Sequence, residues 1–245
     1  MSTTLSLKRR IRDGEIVVGL RASLGMSRRQ VEDMWAKGPY DFLHIDGQHV
    51  AYCEDQLVAF CALAEDLNIP VQFRIPHTRH TYLIGRYLDL GPTAIMVPEV
   101  EDEATVDEAI AYAYYPQVGR RSWGGAARVG VRAQGGQADR LSYAAWWNET
   151  VVLTLQLESV TAITNAGRLA KPGVDLLAFG PNDLQFSLEG HPEYPLRTVD
   201  ECMRNVAAQL TGTGVRLAMG TTTLPSERDK YLEMGVTVFQ EMPKS

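Results

Sequence analysis

The feature that most constrains this chain is its rhythm. Short apolar runs alternate with longer stretches of helical spacing, at Ile16–Leu20, 41–46, Pro70–Ile75, Ala94–Val97, Val151–Leu157, Asp175–Phe179, Val215–Met219 and Thr237–Gln240. Runs this short read as buried strands. Helical spacing occupies a short N-terminal segment, then 27–36, 54–66, 82–90, 101–114, 161–170, 199–211 and 226–234. Leu57, Phe60, Cys61 and Ala64 share one stripe, acidic residues 101–103 suit a helix N-terminus, and Gly91 closes a helix. Strands that alternate with helices build a parallel sheet. Eight such units in 245 residues predict one α/β domain over 1–245, a (β/α)8 TIM barrel. An open doubly wound sheet is the competitor, but no G-x-G-x-x-G turn follows the first run.

Composition narrows the function classes. A formal net charge of -6 argues against nucleic acid or an anionic membrane as partner. Cys53, Cys61 and Cys202 have no zinc-like spacing and are too few for a disulfide framework. Lys8-Arg9-Arg10-Ile11-Arg12 is followed by only a brief apolar run, so no signal peptide or membrane span is expected, and the location is expected to be cytoplasmic. Lys8 to Arg12 read as the solvent side of the N-terminal helix.

Two irregularities break the rhythm. A Gly/Arg-rich insertion at about 119–142 carries Gly119, Gly124, Gly125, Gly130, Gly135 and Gly136 among Arg120, Arg121, Arg128, Arg132 and Arg140. Long loops in compact domains are commonly functional, and a role at the pocket mouth or in a subunit contact is expected. The chain also stops at Ser245, directly after the eighth run, without the usual closing helix. Val236 and Val238 are then expected to expose apolar surface that a neighbouring subunit or the N-terminal helix covers.

In a (β/α)8 barrel the C-terminal strand ends share one face, where catalytic groups gather. Asp46 and His49 follow the second strand around Gly47, which suits a sharp strand end. Arg74 ends the third strand, Glu158 closes Leu155-Gln156-Leu157-Glu158, and Asp183 follows the sixth in Gly180-Pro181-Asn182-Asp183. Each has a plain alternative: Asp46 as a turn cap, His49 as a surface residue, Glu158 and Asp183 as helix caps, Arg74 as a structural ion pair. Convergence on one rim favours chemistry. Glu158 and Asp183 form an incomplete oxygen site for a hard divalent cation, which a 2-oxo acid can chelate. Arg74 can then stabilise an enolate oxygen, His49 oriented by Asp46 can move a proton, and N–H groups around Gly180 to Asp183 can hold a carboxylate.

The ordered set His44-Ile45-Asp46-Gly47-Gln48-His49, Phe73-Arg74-Ile75-Pro76, Val97-Pro98, Pro116-Gln117-Val118-Gly119-Arg120-Arg121, Leu157-Glu158 and Gly180-Pro181-Asn182-Asp183-Leu184 resembles the HpcH/HpaI aldolase family. The resemblance runs from about residue 7 to 240. It implies a metal-dependent class II pyruvate aldolase that joins pyruvate to an aldehyde or cleaves the product, as a homo-oligomer. It also implies Mg²⁺, Mn²⁺ or Co²⁺ on Glu158 and Asp183, substrate contacts from Arg74, Gln156, Gly180, Pro181, Asn182 and Asp183, and catalysis by His49, Arg74 and Asp46.

Three departures stand out: Gln48 replaces the family's Glu, Ser122 stands where a Gly is usual, and the closing helix is absent. Three other readings are weighed. Gly220-Thr221-Thr222-Thr223 after the seventh strand suits the phosphate of a phosphosugar isomerase or epimerase. A CoA-dependent malyl or citramalyl lyase uses a related barrel, and a catalytically silent barrel is the third. His77-Thr78-Arg79-His80 reads as a solvated loop, and Trp146 and Trp147 as packing for a short helix.

Overall fold

The computed structural model describes residues 6–124, 129–130 and 139–244. Its strands are β1 (Val17–Arg21), β2 (Phe42–Asp46), β3 (Val71–Arg74), β4 (Ala94–Val97), β5 (Val152–Leu157), β6 (Leu176–Phe179), β7 (Arg216–Thr222) and β8 (Val236–Glu241). They pair in parallel, in sequence order, and β8 returns to β1 to close the barrel. The described helices are α1 (Leu7–Arg12), α2 (Arg28–Trp35), α3 (Glu54–Asp66), α4 (Ile84–Asp89), α5 (Glu103–Ala113), α6 (Arg140–Asn148), α7 (Val160–Leu169), α8 (Pro181–Gly190), α9 (Val199–Gln209) and α10 (Arg228–Leu232). This is the predicted TIM barrel.

Strand alternation sorts the side chains into two cores. Leu43, Ile45, Val71, Phe73, Ile95, Leu155, Leu177, Phe179 and Phe239 point outward and pack under the helices. The inward set changes character along the barrel axis. At the N-terminal end Val17, Phe42, Ala94, Val152, Leu176 and Val238 form an apolar floor with Ile11. A Cβ on Gly19 would sit 2.3 Å from the Phe42 ring, so the glycine makes room for that floor. Above it lies a polar layer: His44 Nδ1 is 2.9 Å from Gln72 Oε1, and Gln72 Nε2 donates to Thr154 Oγ1 at 3.2 Å. Burial, only partly offset by Gln72, pushes His44 down to about 4, so the ring is neutral and its Nδ1–H donates.

Several details differ from the sequence expectations. The 181–190 stretch is helical, started by Pro181 in the first turn, where its missing N–H costs nothing. The 82–90 helix divides into a 3₁₀ turn over Thr78–Leu83 and α4, and β7 runs on to Thr222. Strand eight is not exposed: Val236 and Val238 are buried, Val238 faces the barrel floor, and Arg228 of α10 lies over the Phe239 ring.

The N-terminal helix corrects another expectation. Lys8 is 1% exposed rather than solvated, and α1 plugs the barrel floor, where Ile11 packs in one cluster with Val238 of β8. Lys8 Nζ donates to Asp175 Oδ2 at 2.9 Å, Tyr114 Oη at 2.8 Å and the Val151 carbonyl at 2.7 Å. Burial lowers the Lys8 pKa and Asp175 opposes that shift. A basic stretch with one lysine among three arginines gives no signal that one of its cations is destined for the interior.

The described part of the 119–142 insertion is also structural. Arg121 is buried, pairs with Asp89 at 2.6 Å, and stacks over Trp147 at 4.3 Å and Tyr115 at 4.9 Å. Trp147 is fully buried in α6, as expected for the short helix, and donates to the Ala113 carbonyl at 3.0 Å. Gly125, Arg128, Arg132, Gly135 and Gly136 lie outside the described residues.

Breaking one side of a buried ion pair strands the other charge, at about 3–5 kcal/mol. Lys8→Ala is therefore expected to lower unfolding free energy by about that amount in urea titrations. The double variant Lys8→Met/Asp175→Asn should lose less, because neither charge is left alone. A Lys8→Ala protein of unchanged stability would show that the plug does not hold the floor.

Candidate active site

The mouth is organised by a carboxylate and a guanidinium that face each other across neighbouring strands. Asp46 and Arg74 are paired in the β2–β3 register. Arg74 Nε donates to Asp46 Oδ1 at 2.9 Å and Nη2 to Oδ2 at 2.5 Å. Arg21, from the end of β1, adds Nη2 to Oδ2 at 3.1 Å. The amides of Gln48 and His49 donate to Oδ1 at 2.9 and 3.4 Å. Burial acts to raise the Asp46 pKa, but the Arg74 hydrogen bonds and charge outweigh it with help from those amides, and hold it at about 2. Asp46 is thus ionised, and what it orients is Arg74. Its contact with His49 is to the backbone, and the His49 side chain is exposed at the rim.

Gly47 is needed for space rather than for unusual backbone angles. It is not among the glycines with positive φ. A Cβ there would fall 2.6 Å from the Phe73 ring and 2.7 Å from the Arg74 carbonyl, which accepts the Gly47 amide at 2.9 Å.

From Arg74 the hydrogen bonds continue across the barrel. Nη1 donates to Gln156 Oε1 at 3.3 Å, and Gln156 Nε2 donates to Glu158 Oε1 at 2.7 Å. A guanidinium on one side and a carboxylate on the other fix which end of the Gln156 amide faces which. Glu158 Oε2 accepts the Glu99 amide at 2.8 Å, delivered by a backbone turn with φ of 52° at Glu99. Burial raises Glu158 most; the Glu99 amide opposes this, the Asp183 charge adds to it, and the carboxyl settles at about 7. Gly180 keeps the space beside it open, since a Cβ would sit 2.5 Å from Glu158 Oε1 and 2.9 Å from Gln156 Nε2.

Asp183 and Asn182 are exposed in the first turn of α8. Of the amides predicted to hold a carboxylate, Gly180 N is spent on the Leu157 carbonyl at 3.0 Å and Pro181 has none, which leaves Asn182 and Asp183. The donor set fits a hard divalent cation. It consists of two carboxylates whose mutual repulsion a cation relieves, with lone pairs to spare on each Glu158 oxygen and room secured by Gly180. Among the described residues there is no group of three or more His, Cys, Asp or Glu side chains suited to a metal, so such an ion keeps most of its ligands as water or substrate.

Two participants were not singled out from sequence. Arg21 could have been found by the argument that found Arg74, because it also ends a strand on this rim. Glu99 gave no signal, since its role rests on a backbone conformation. Gln48 points at Glu99, with Nε2 to Oε1 at 3.1 Å, rather than at His49. His77 caps the 3₁₀ turn by accepting the Arg79 amide at 2.9 Å, and its Nε2 is 3.7 Å from Glu99. Gly220 to Thr222 belong to β7, with Thr222 paired to Gln240, so no phosphate-binding turn starts there.

Comparison with known proteins places these residues in a context. The HpcH/HpaI aldolase/citrate lyase family model matches residues 26–240. A 2-keto-3-deoxy-L-rhamnonate aldolase from Salmonella gallinarum is 30% identical over 208 residues, covering 82% of this chain and 74% of the relative. The crystal structure of an HpcH/HpaI aldolase from Desulfitobacterium hafniense superposes with a TM-score of 0.81 at 25% identity, over 98% of this chain and 91% of the other. An HpcH/HpaI aldolase/citrate lyase family protein from Burkholderia cenocepacia gives 0.80 at 28% identity, over 98% and 93%.

The two carboxylates impose opposite pH dependences on the metal-free fold. Asp46, depressed to about 2, contributes stability above its unfolded pKa near 3.8, worth about 2 kcal/mol, which is lost as pH falls toward 2. Glu158, raised to about 7, is favourable below 4.5 and costs about 3 kcal/mol once pH rises past 7. Glu158→Gln in chelator-treated protein is therefore expected to raise Tm at pH 8 and leave it nearly unchanged at pH 4. Equal effects at both pH values in a thermal scan would contradict this assignment.

Proposed function

The chain belongs to the HpcH/HpaI aldolase/citrate lyase family, and on that premise we propose that it is a class II pyruvate aldolase that forms and cleaves 4-hydroxy-2-oxo acids. The observation that carries this reading is the continuous set of contacts Asp46–Arg74–Gln156–Glu158, ending beside Asp183. It sets a fixed guanidinium next to a pair of carboxylates, which is what a 2-oxo acid on its way to an enolate requires. The relatives named as 2-keto-3-deoxy-L-rhamnonate aldolases support the same class of carbon–carbon lyase.

Glu158 and Asp183 would hold the divalent ion, Mg²⁺, Mn²⁺ or Co²⁺, which when bound supplies Lewis acidity toward the keto oxygen. Arg74 spends three of its five N–H groups on Asp46 and Gln156. The remaining two face the oxygen that becomes negative as the pyruvate methyl loses its proton. Because Asp46 and Gln156 hold the guanidinium in place beforehand, little reorganisation accompanies that charge. The Asn182 and Asp183 amides, at the positive end of α8, receive the substrate carboxylate. His49, anchored through its backbone to Asp46, transfers a proton at the aldehyde or hydroxyl oxygen.

A phosphosugar reading is not favoured, since the segment on which it depended is strand. We place the enzyme in the cytoplasm; Cys53, Cys61 and Cys202 are free thiols, and among the described residues no helix is long and apolar enough to cross a membrane. A homo-oligomer belongs to the same proposal, supported by Phe186, 77% exposed on α8.

The test uses pyruvate alone. In D₂O the enzyme is expected to exchange the pyruvate methyl protons, to stop after chelation, and to resume with Mg²⁺, Mn²⁺ or Co²⁺. Glu158→Ala and Asp183→Ala should lose metal binding, measured directly by calorimetry, along with exchange. Arg74→Ala should keep metal yet lose roughly 10²–10³-fold in rate. Exchange that persists without metal rules out this reading.

A further inference from the structure

The turn that follows β4 has an unusual backbone. Glu99 lies at a φ of 52°, in the left-handed region that a Cβ disfavours. A glycine would take the position without strain, so a glutamate there needs compensating contacts. The turn itself serves β5. The Glu99 amide donates to Glu158 Oε2 at 2.8 Å, and the next amide, that of Val100, donates to the Gln156 carbonyl at 3.1 Å. With Gln156 Nε2 on Oε1 at 2.7 Å, each oxygen of the Glu158 carboxylate has a fixed donor.

The compensating contacts come from the Glu99 side chain. Its Oε1 accepts Gln48 Nε2 at 3.1 Å, and its Oε2 lies 3.7 Å from His77 Nε2. His77 Nδ1 accepts the Arg79 amide, so the ring carries its proton on Nε2, the nitrogen nearer Glu99. Gln48 is itself anchored, because its amide donates to Asp46 Oδ1 at 2.9 Å. These contacts tie together the segments that follow β2, β3, β4 and β5, through Gln48, His77, Glu99 and Glu158 in turn. They also set what residue 48 must be. An ionised carboxylate only accepts hydrogen bonds, so Glu99 requires a donor opposite it. Gln48 is that donor, whereas a Glu in its place would set two negative charges against each other.

Resting on the aldolase reading above, we infer that Glu99 is a positioning residue for the metal-binding carboxylate of Glu158, and that Gln48 acts on the site through it. Gln48 and His77 hold the Glu99 side chain. The held side chain keeps the turn in its left-handed conformation, and the turn keeps Glu158 Oε2 on the Glu99 amide. A carboxylate fixed at both oxygens presents its remaining lone pairs in one direction, so a divalent ion meets a ligand that is already oriented. The Gln at position 48, where the family has Glu, thus bears on metal affinity and not on the His49 imidazole.

The experiment measures Mn²⁺ affinity by titration calorimetry on the chelator-treated enzyme, at one fixed pH and without substrate, with Tm recorded for each variant. Glu99→Gly relaxes the backbone but removes the grip. It is expected to keep or raise Tm and to weaken Mn²⁺ binding by about tenfold or more. Gln48→Glu is expected to weaken binding as well, although it adds a negative charge to the rim. Combining it with Glu99→Gln restores the contact with donor and acceptor exchanged, and affinity should return toward the wild-type value although a negative charge has been removed. A direct effect of charge on the ion has the opposite sign at both steps. Wild-type affinity in Glu99→Gly, tighter binding in Gln48→Glu, or no recovery in the double variant would overturn the inference. The wild type separates the two failures. If it binds Mn²⁺ and exchanges the pyruvate methyl protons, only the positioning role falls; if it does neither, the aldolase reading falls and takes this one with it.

Discussion

The ion pair between Asp46 and Arg74 is the contact on which the site depends. Two adjacent parallel strands end at the same height, and their last side chains meet in a bidentate contact with little access to water. Compared with well-packed apolar residues in the same place, a pair of this kind adds little net stability, because desolvating both charges offsets most of their attraction. What it confers is position. Asp46 is held ionised, Arg74 cannot rotate away, and the bonds through Gln156 to Glu158 inherit that geometry. Each neighbouring residue is then set by what the pair leaves over: Arg74 donates onward to Gln156, and Arg21 adds a single N–H to Asp46.

The barrel separates this polarity from its own support. Apolar side chains under the helices and on the floor provide the burial that holds the fold. The polar layer of His44, Gln72 and Thr154 lies between floor and mouth. At the opposite end Lys8 seals the floor, with its charge matched by Asp175 and its remaining protons by Tyr114 and a backbone carbonyl. Both ends of the barrel thus use a buried cation. At the floor every Lys8 donor is satisfied inside the protein, which makes it structural. At the mouth Arg74 gives three of its five N–H groups to Asp46 and Gln156.

Much of the architecture was legible in sequence because strand runs and helical stripes are local patterns. Ala94–Val97 was read to the residue, and the stripe of Leu57, Phe60, Cys61 and Ala64 is buried as expected. The rim residues Asp46, Arg74, Glu158 and Asp183 were legible because parallel strands bring their C-terminal ends to one face. Less visible was anything that required knowing what stands opposite. Lys8 looked solvated among its basic neighbours, α8 was hidden by Gly180-Pro181, and Arg121 was read into a loop at the pocket mouth or a subunit contact although it stacks on Trp147.

The sequence by itself determined the repeat, the closure into a barrel and the residue types on the rim at the C-terminal strand ends, since periodicity and strand direction follow from short-range geometry. Only the tertiary structure decided the partners. It turned Asp46 toward Arg74 rather than the His49 ring, Gln48 toward Glu99, and Arg21 toward Asp46. It also set the ionisation of the two key carboxylates, at about 2 for Asp46 and about 7 for Glu158. The reason is that hydrogen bonding and desolvation depend on atoms brought together from strands far apart in the chain, and no local pattern encodes which of them will meet.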